Sequence, residues 1–94
     1  MRKVKFTQNV LNRIAQIRSI HFTSQETTRF QIKLIETIHA RLSTITPMAG
    51  FHEFKRGPWA NTRRILVLGY KVYYVYLSVS DEIIVKGIKA PGMN

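Results

Sequence analysis

The segment spanning residues 59–89 constrains the fold of this chain more than any other part of the sequence. It holds three runs of β-branched and aromatic residues separated by turn residues, and these runs cover residues 63–68, 70–77 and 83–88. Such runs predict three adjacent antiparallel strands. The first run is apolar on consecutive residues, which is typical of a strand covered on both faces, so we predict that it lies at the centre of the sheet.

The N-terminal part of the chain predicts a short strand followed by a helix. Residues 3–6 alternate charged and apolar side chains, which is the period of a half-exposed strand. Thr7 can cap a first helix, which we expect to end near Ile20 or His21. The apolar residues of this helix fall on one face, and they are Val10, Leu11, Ile14 and Ile17.

A second, longer helix is predicted after a short connection. Thr23 or Ser24 can cap it, and Thr23 with Glu26 has the spacing of a capping box. Its apolar ridge consists of Phe30, Leu34, Ile38, Leu42 and Ile45, with Ile35 alongside. We expect Pro47 to end this helix after about 22 residues, and the short connection to make the two helices an antiparallel hairpin.

These elements predict one α+β domain over residues 1–94. Residues 51–55 alternate charged and apolar side chains again and fit a fourth strand after the helices. A three-stranded meander needs a cover for its apolar face, and the helical hairpin is the candidate for it. The expected fold is an antiparallel sheet, joined by the N-terminal strand and covered on one face by the N-terminal helical hairpin, in the order β-α-α-β-β-β(-β).

The charge balance points to a polyanionic partner. Fifteen Lys and Arg residues face five Asp and Glu residues, which gives a formal net charge of +10. Such a field attracts DNA, RNA, a ribosome, an acidic protein or an anionic membrane surface. The plainer alternative is a solvated basic surface with no such partner, although this charge exceeds what solubility needs in so short a chain.

The composition disfavours several classes of protein and of site. The chain has no cysteine, which excludes disulfides and thiol chemistry. It has no apolar run of membrane-spanning length and no signal-peptide core, so we expect a cytoplasmic protein that binds no membrane. The three histidines, His21, His39 and His52, lack the spacing of a zinc site, and the acids form no catalytic pair. We therefore expect no metal and no cofactor.

A basic and aromatic cluster remains as the candidate functional site. It consists of Lys55, Arg56, Trp59, Arg63, Arg64, Lys71 and Tyr73, with His52 nearby. Arginine and lysine can hold phosphates, tyrosine and tryptophan can stack on bases, and histidine can move a proton. RNA cleavage needs no more, because the 2′-hydroxyl is the nucleophile and the protein supplies a base, an acid and charge stabilisation. The competing interpretation is that the tyrosines are ordinary strand residues, with Tyr73 on the face opposite Tyr70, Tyr74 and Tyr76.

The chain also resembles a known family over nearly its whole length. The matching features are residues 4–7 leading into a helix, Arg29-Phe30 in the second helix, residues 42–47 with Gly50, Arg63-Arg64, and residues 69–74. In this order they resemble the RelE/ParE superfamily of bacterial toxins. The resemblance implies the toxin of a type II toxin–antitoxin pair, neutralised by a co-expressed antitoxin and bound to operator DNA only through that antitoxin.

The two branches of this superfamily imply different targets. RelE-like members cut mRNA in the ribosomal A site, and ParE-like members poison DNA gyrase. By resemblance to the RelE branch, Lys71 matches a catalytic arginine and Arg64 matches a phosphate-contacting lysine. In a nuclease the expected catalytic residues are Arg64, Lys71 and Tyr73, and the expected nucleic-acid-binding residues are Lys55, Arg56, Trp59 and Arg63.

The residues after the last predicted strand favour the ParE-like branch. The RelE branch carries a basic residue and a tyrosine there, whereas residues 89–94 read Lys-Ala-Pro-Gly-Met-Asn. The helical hairpin with Arg29-Phe30 and its exit at Pro47 and Gly50 also resemble the ParE branch, while the charge of +10 suits a ribosomal target. The expectation from the sequence is gyrase poisoning, with an mRNA endoribonuclease or a non-toxic basic nucleic-acid-binding module as alternatives.

Overall fold

The computed structural model describes residues 2–18, 22–45, 57 and 61–92, and four strands and two helices lie in these ranges. The elements in chain order are β1 (Lys3–Phe6), α1 (Gln8–Ala15), α2 (Ser24–Ser43), β2 (Arg63–Val67), β3 (Tyr70–Leu77) and β4 (Glu82–Lys89). The strands form one sheet in the order β1-β4-β3-β2, and both helices pack on one face of it. The predicted α+β fold is confirmed, while the fourth strand predicted at residues 51–55 falls outside the described residues.

The sheet is mixed, because β1 pairs with β4 in parallel. The strands β2, β3 and β4 pair antiparallel, as predicted. The expectation of a wholly antiparallel sheet is therefore wrong for β1 alone. Both helices and two strands separate β1 from β4 along the chain, and a connection of that length permits parallel pairing.

Strand β2 lies at an edge of the sheet that the described strands form, whereas we predicted a central strand covered on both faces. Ile65 and Val67 are buried in the core, but Leu66 is 58% exposed on the other face and Leu68 is 43% exposed in the following turn. The apolar run thus spans two faces and a turn, and it does not report burial on both sides. The guanidinium of Arg41 on α2 donates to the carbonyl oxygen of Leu66 and satisfies one acceptor of this edge.

A two-residue turn joins β2 to β3. Leu68 and Gly69 have φ angles of 51° and 84°. This left-handed pair is what a type I′ hairpin requires, because its twist matches that of the flanking strands. A Cβ atom at Gly69 would lie 3.3 Å from Cγ of Pro91, so space as well as conformation favours glycine there.

The predicted starts of both helices are confirmed. The Oγ1 atom of Thr7 accepts a hydrogen bond from the N–H of Val10 at 3.3 Å and caps α1. Thr23 and Glu26 form both hydrogen bonds of the capping box at the start of α2, each at 3.1 Å. These bonds satisfy N–H groups that have no partner inside a helix.

Helix α1 ends at Ala15, earlier than the predicted end near Ile20 or His21. The side chains of Arg18 and Gln31 donate to the carbonyl oxygen of Ala15, at 2.7 Å and 3.3 Å. These donors take the place of the N–H groups that a further helical turn would supply. The bond from Gln31 also ties α1 to α2.

Helix α2 ends at Ser43, before the predicted stop at Pro47, which lies outside the described residues. The hydroxyl groups of Ser43 and Thr44 both donate to the carbonyl oxygen of Ala40 at 3.1 Å. Serine and threonine compete in this way with backbone hydrogen bonds, which favours the end of a helix.

The core lies between the helices and the inner face of the sheet. The predicted ridge of α2 is confirmed, because Leu34, Ile38 and Leu42 are fully buried and Phe30, Ile35 and Ile45 pack against them. The other buried members of the core cluster are Val10, Ile14, Ile65, Val67, Val72, Tyr74, Ile83, Val85 and Ile88. Burial raises the pKa of Tyr74, whose hydroxyl has no hydrogen-bond partner among the described residues.

Strand β4 contains a β-bulge that changes which of its side chains face the core. The register shifts between Tyr73 and Tyr74 of β3, so that Lys86 is an extra residue on β4. Val85 and Ile88 are three positions apart, yet both are buried in the core. Strict alternation from Val85 would turn Ile88 outward.

A polar cluster ties the start of the chain to the β3–β4 turn and to the end of α2. The Nε atom of Arg2 and the hydroxyl of Tyr76 both donate to Oδ1 of Asp81, at 3.1 Å and 2.9 Å. The guanidinium of Arg2 also donates to the carbonyl oxygen of Ile45. The hydrogen bonds from Tyr76 and Arg2 lower the pKa of Asp81, and the hydrogen bond to Asp81 raises the pKa of Tyr76.

Truncating Leu34 tests the packing of α2 on the sheet. Leu34→Ala removes a fully buried side chain and should lower the free energy of unfolding by roughly 2–5 kcal/mol. Ile32→Ala is the matched control on the same helix, since Ile32 is 50% exposed. It should change that free energy by less than about 0.5 kcal/mol. Urea unfolding measures both, and equal small effects would contradict the burial of this ridge.

The Asp81 cluster predicts a pH-dependent contribution to stability. Because the pKa of Asp81 is lower in the folded protein, its carboxylate stabilises the fold above the unfolded pKa, and the effect is lost as pH falls through the folded pKa. Asp81→Asn, which tolerates the same positive φ, should therefore be less stable than the wild type at neutral pH. This difference should close below about pH 4. A difference that persists unchanged in acid would contradict the role of the carboxylate.

Candidate nucleic-acid interface

The face of the sheet that points away from the helices is basic. Register and burial place on it Lys3 and Lys5 of β1, Arg64 and Leu66 of β2, Lys71 and Tyr73 of β3, and Lys89 of β4. We refer to these residues as the open face. Arg64, Lys71 and Lys89 lie on adjacent strands within reach of one another, so their charges add. Lys3 and Lys5 lie beside Ile84 and Glu82, toward the other end of β4, and Glu82 shares this face.

One row of the open face joins Arg64 to Tyr73. These two residues pair across β2 and β3, and Tyr73 pairs in turn with Gly87 on β4. Arg64 is exposed, whereas Tyr73 is only 4% exposed even though it is not part of the core cluster. The ring of Tyr73 therefore offers little free surface on which a base could stack.

A second row places two lysines side by side. Lys71 pairs with Leu66 of β2 on one side and with Lys89 of β4 on the other. Like charges opposite one another on adjacent strands repel, and a phosphate group bound between them would offset the repulsion. The Nζ atom of Lys89 lies 5.8 Å from the centroid of the Tyr73 ring, within the range of a cation–π contact. The structure thus brings the three expected catalytic residues, Arg64, Lys71 and Tyr73, onto one face.

Lys89 is not among the residues predicted for this site. Alternation from the buried Val85 would turn residue 89 toward the core, and only the bulge at Lys86 brings it to the open face. The signal in the sequence is Gly87, because a glycine inside a strand often marks a bulge.

Arg63 lies on the opposite face of the sheet from Arg64. It shares the inner face with Ile65, and its guanidinium lies 6.0 Å from the centroid of the Tyr76 ring. Successive side chains of a strand alternate between faces, so the structure does not bring Arg63 together with the open-face cations.

The remaining residues predicted for the site lie outside the described residues. These are Lys55, Arg56 and Trp59, together with the neighbouring His52, and their roles stay predictions. His21 also lies outside them, and His39 is exposed on α2, on the other side of the sheet. The described residues contain no group of three or more His, Cys, Asp or Glu side chains that could hold a metal ion.

The acids that the structure describes leave the open face positively charged. Glu82 is paired with Lys5, whose Nζ atom lies 2.8 Å from its Oε2 atom, and this hydrogen bond lowers the pKa of Glu82. Asp81 is bound by Arg2 and Tyr76. Glu26 and Glu36 are exposed on α2, across the sheet from the open face.

The cavities of the described residues lie away from the open face. One of about 220 Å³ is lined by Arg18, Phe22, Ser24, Thr27, Thr28 and Gln31. Another of about 110 Å³ is lined by Arg13, Gln16, Ile17, Tyr70, Ile88 and Ala90. A third of about 390 Å³ is lined by Ser24, Gln25, Thr28 and Arg29.

Among the described helices, none has the length and apolar character needed to cross a membrane.

Substitutions at Arg64 and Arg63 should separate the two faces of β2. Arg64→Ala should weaken binding to a single-stranded RNA oligonucleotide and reduce the magnitude of the negative slope of log affinity against log salt by about 0.7, the value for one lost phosphate contact. Arg63→Ala is the matched control and should leave this slope unchanged. Fluorescence anisotropy over a range of salt concentrations measures both. An equal loss from the two variants would argue against RNA binding by the open face.

No family model matches the chain, and no curated protein matches its sequence. Solved structures do match its fold. The structure of the RelBE2 toxin–antitoxin complex from Mycobacterium tuberculosis matches with a TM-score of 0.69 and 14% identity, over 98% of this chain and 93% of that chain. The isolated E. coli RelE toxin matches with a TM-score of 0.55 and 14% identity, over 100% of this chain and 88% of that chain.

The intact E. coli RelBE toxin–antitoxin complex also matches, with a TM-score of 0.54 and 15% identity over 99% of this chain and 100% of that chain. At these identities the likeness concerns the fold. The resemblance to the RelE/ParE superfamily is thereby confirmed at the level of the fold, and the chain has the fold of the RelE toxin.

Proposed function

We propose that the chain is the toxin of a toxin–antitoxin pair and that it acts on RNA bound to the open face. The observation that carries the proposal is the grouping of Arg64, Lys71 and Lys89 around Tyr73 on one face of the sheet. Guanidinium and ammonium groups hold phosphate oxygens, and three of them in adjacent positions suit a phosphodiester backbone. The fold of the RelE toxin supports the proposal.

The reaction that suits this face is cleavage by the 2′-hydroxyl of the RNA itself. The 2′-oxygen forms a bond to the adjacent phosphorus, and the bond from phosphorus to the 5′-oxygen of the next nucleotide breaks. A base takes the proton of the 2′-hydroxyl, and the departing 5′-oxygen receives a proton. Arg64 and Lys71 would stabilise the charge on the phosphate oxygens, an effect on the order of 10²–10³ in rate for one well-placed donor.

Poisoning of DNA gyrase, the expectation from the sequence, is the second candidate. The observation that favours it is the composition of residues 90–94, which include neither the tyrosine nor an arginine that the RelE-like resemblance implies after the last strand. Such a toxin would act through a protein–protein surface such as the solvent side of α1 and α2. Changes on the open face would then have little effect.

An acidic antitoxin is the partner that follows from either toxic function. Two of the structures with this fold are toxin–antitoxin complexes. The net charge of +10 favours an acidic partner, and the exposed side chains of Leu66 and Leu68 offer apolar area for contact with that partner. A permanent complex of this kind buries roughly 2,000 Å² or more.

Brief expression in a bacterial host tests the proposal. An RNA-directed toxin should arrest growth with rapid, codon-phased mRNA cleavage and normal DNA supercoiling. Arg64→Ala or Lys71→Ala should slow the cleavage by about 10²–10³. Lys33→Ala is the matched control, since Lys33 is exposed on α2 and faces away from the sheet. Primer extension on an abundant message measures the cleavage rate.

Other outcomes of this experiment favour the other functions. Intact mRNA in filamenting cells with a DNA-damage response, unchanged by Arg64→Ala, would overturn the RNA proposal in favour of gyrase. No growth arrest, together with affinity for random nucleic acid at low salt, would favour a non-toxic binding module. Co-expression of an acidic protein encoded beside this chain should relieve the arrest in either toxic case.

A further inference from the structure

We propose that Tyr73 is a positioning residue whose ring, seated over Gly87, holds the ammonium group of Lys89 beside Lys71, so that the two lysines form one clamp for an RNA phosphodiester. The ligand in this statement rests on the proposed function. The placement of the Tyr73 ring and of the Lys89 ammonium group follows from the pairing of β3 with β4 and does not depend on that function. The role differs from the base stacking expected from the sequence.

Tyr73 is buried although it lies on the open face. Its neighbours Val72 and Tyr74 point into the core, so Tyr73 points the other way, yet it is only 4% exposed. Its partner on β4 is Gly87, which is buried as well. A glycine opposite an aromatic residue leaves room for the ring to lie against the backbone, an arrangement that also compensates for glycine in a strand.

The ammonium group of Lys89 lies close to this ring. The Nζ atom of Lys89 is 5.8 Å from the centroid of the Tyr73 ring, whose negative face attracts a cation. This attraction counters the repulsion between Lys89 and the Lys71 that pairs with it across β3 and β4. The ring thus favours an ammonium position that two like charges would otherwise disfavour.

The bulge in β4 makes this arrangement available. If β4 continued past Val85 in regular register, Lys86 would pair with Tyr73, Gly87 would pair with Val72, and Lys89 would turn toward the core. The bulge therefore places a glycine opposite Tyr73 and brings Lys89 to the same face of the sheet as its ring. With the exposed Arg64 paired to Tyr73 from β2, three cations surround one ring.

The site that results suits a phosphate rather than a base. A ring that is 4% exposed has little surface for stacking, whereas adjacent ammonium groups donate hydrogen bonds to phosphate oxygens. A phosphodiester of single-stranded RNA can pass along an open face from one such clamp to Arg64.

The decisive experiment measures the salt dependence of binding to a single-stranded RNA oligonucleotide. Lys89→Ala should weaken binding several-fold and reduce the magnitude of the negative slope of log affinity against log salt by about 0.7. Tyr73→Leu removes no charge, yet it should reduce the magnitude of this slope similarly, because Lys89 is no longer held at the phosphate. The double variant Tyr73→Leu/Lys89→Ala should bind no more weakly than Lys89→Ala. Tyr73→Phe keeps the ring and should keep the salt slope of the wild type.

Several results would contradict the positioning role of Tyr73. A weaker affinity of Tyr73→Leu with an unchanged salt slope, or additive effects in the double variant, would overturn the positioning role in favour of direct stacking. Loss of binding in Tyr73→Phe would overturn the positioning role of the ring and would show that the Tyr73 hydroxyl is needed for binding. If Tyr73→Leu does not fold, Tyr73→Met carries the same test, because it also removes the ring without changing the charge.

A spectroscopic measurement separates this proposal from the proposed function. The ε-methylene protons of Lys89 should show an upfield ring-current shift in the wild type and in Tyr73→Phe, and this shift should disappear in Tyr73→Leu and Tyr73→Met. A wild type without affinity for RNA would overturn the proposed function. The ring-current shift would still decide whether Tyr73 positions Lys89, and its absence from the wild type would overturn that positioning.

Discussion

The alternation of side chains along β3 is the constraint on which the candidate site depends. This strand is paired on both sides, with β2 and with β4, and the side chains of Val72 and Tyr74 are buried beneath the helices. Their burial leaves Lys71 and Tyr73 on the open face. A shift of one residue would expose the two core side chains and drive a lysine into the core, at a cost far above a typical single mutation. The packing that stabilises the fold therefore also holds the cluster in register.

The two faces of the molecule carry different groupings of charge. The helices on the inner face carry Glu26 and Glu36 together with cations such as Arg29, Lys33 and Arg41, while Arg64, Lys71 and Lys89 are grouped on the open face. Site residues that project from strands are held more firmly than residues on loops, because the ladder of hydrogen bonds fixes their spacing. The bulge at Lys86 extends this order to β4, where it adds Lys89 to the face. A positive surface of fixed spacing is what repeated contacts to a phosphodiester backbone need.

The sequence predicted features that depend on local chemistry and missed those that depend on pairing between distant strands. The capping box of Thr23 and Glu26 and the ridge with Leu34 were predictable, because spacing along one helix determines them. The position of β2 at an edge of the described strands was not predictable, since an apolar run does not reveal which strand lies beside it. The parallel pairing of β1 with β4 was not predictable for the same reason. In the site, alternation was enough to group Lys71 with Tyr73, whereas Lys89 required a bulge that only Gly87 hinted at.

The central claim is that the open face, rather than the helices, binds nucleic acid, and amide chemical-shift mapping with a single-stranded RNA oligonucleotide tests it most directly. We expect the largest shift changes at Arg64, Lys71, Tyr73 and Lys89, with smaller changes at Lys3 and Lys5 of β1. Residues on the solvent side of α2, such as Lys33 and Glu36, should remain unchanged. Shift changes centred on α1 and α2, with the open face unaffected, would contradict the account.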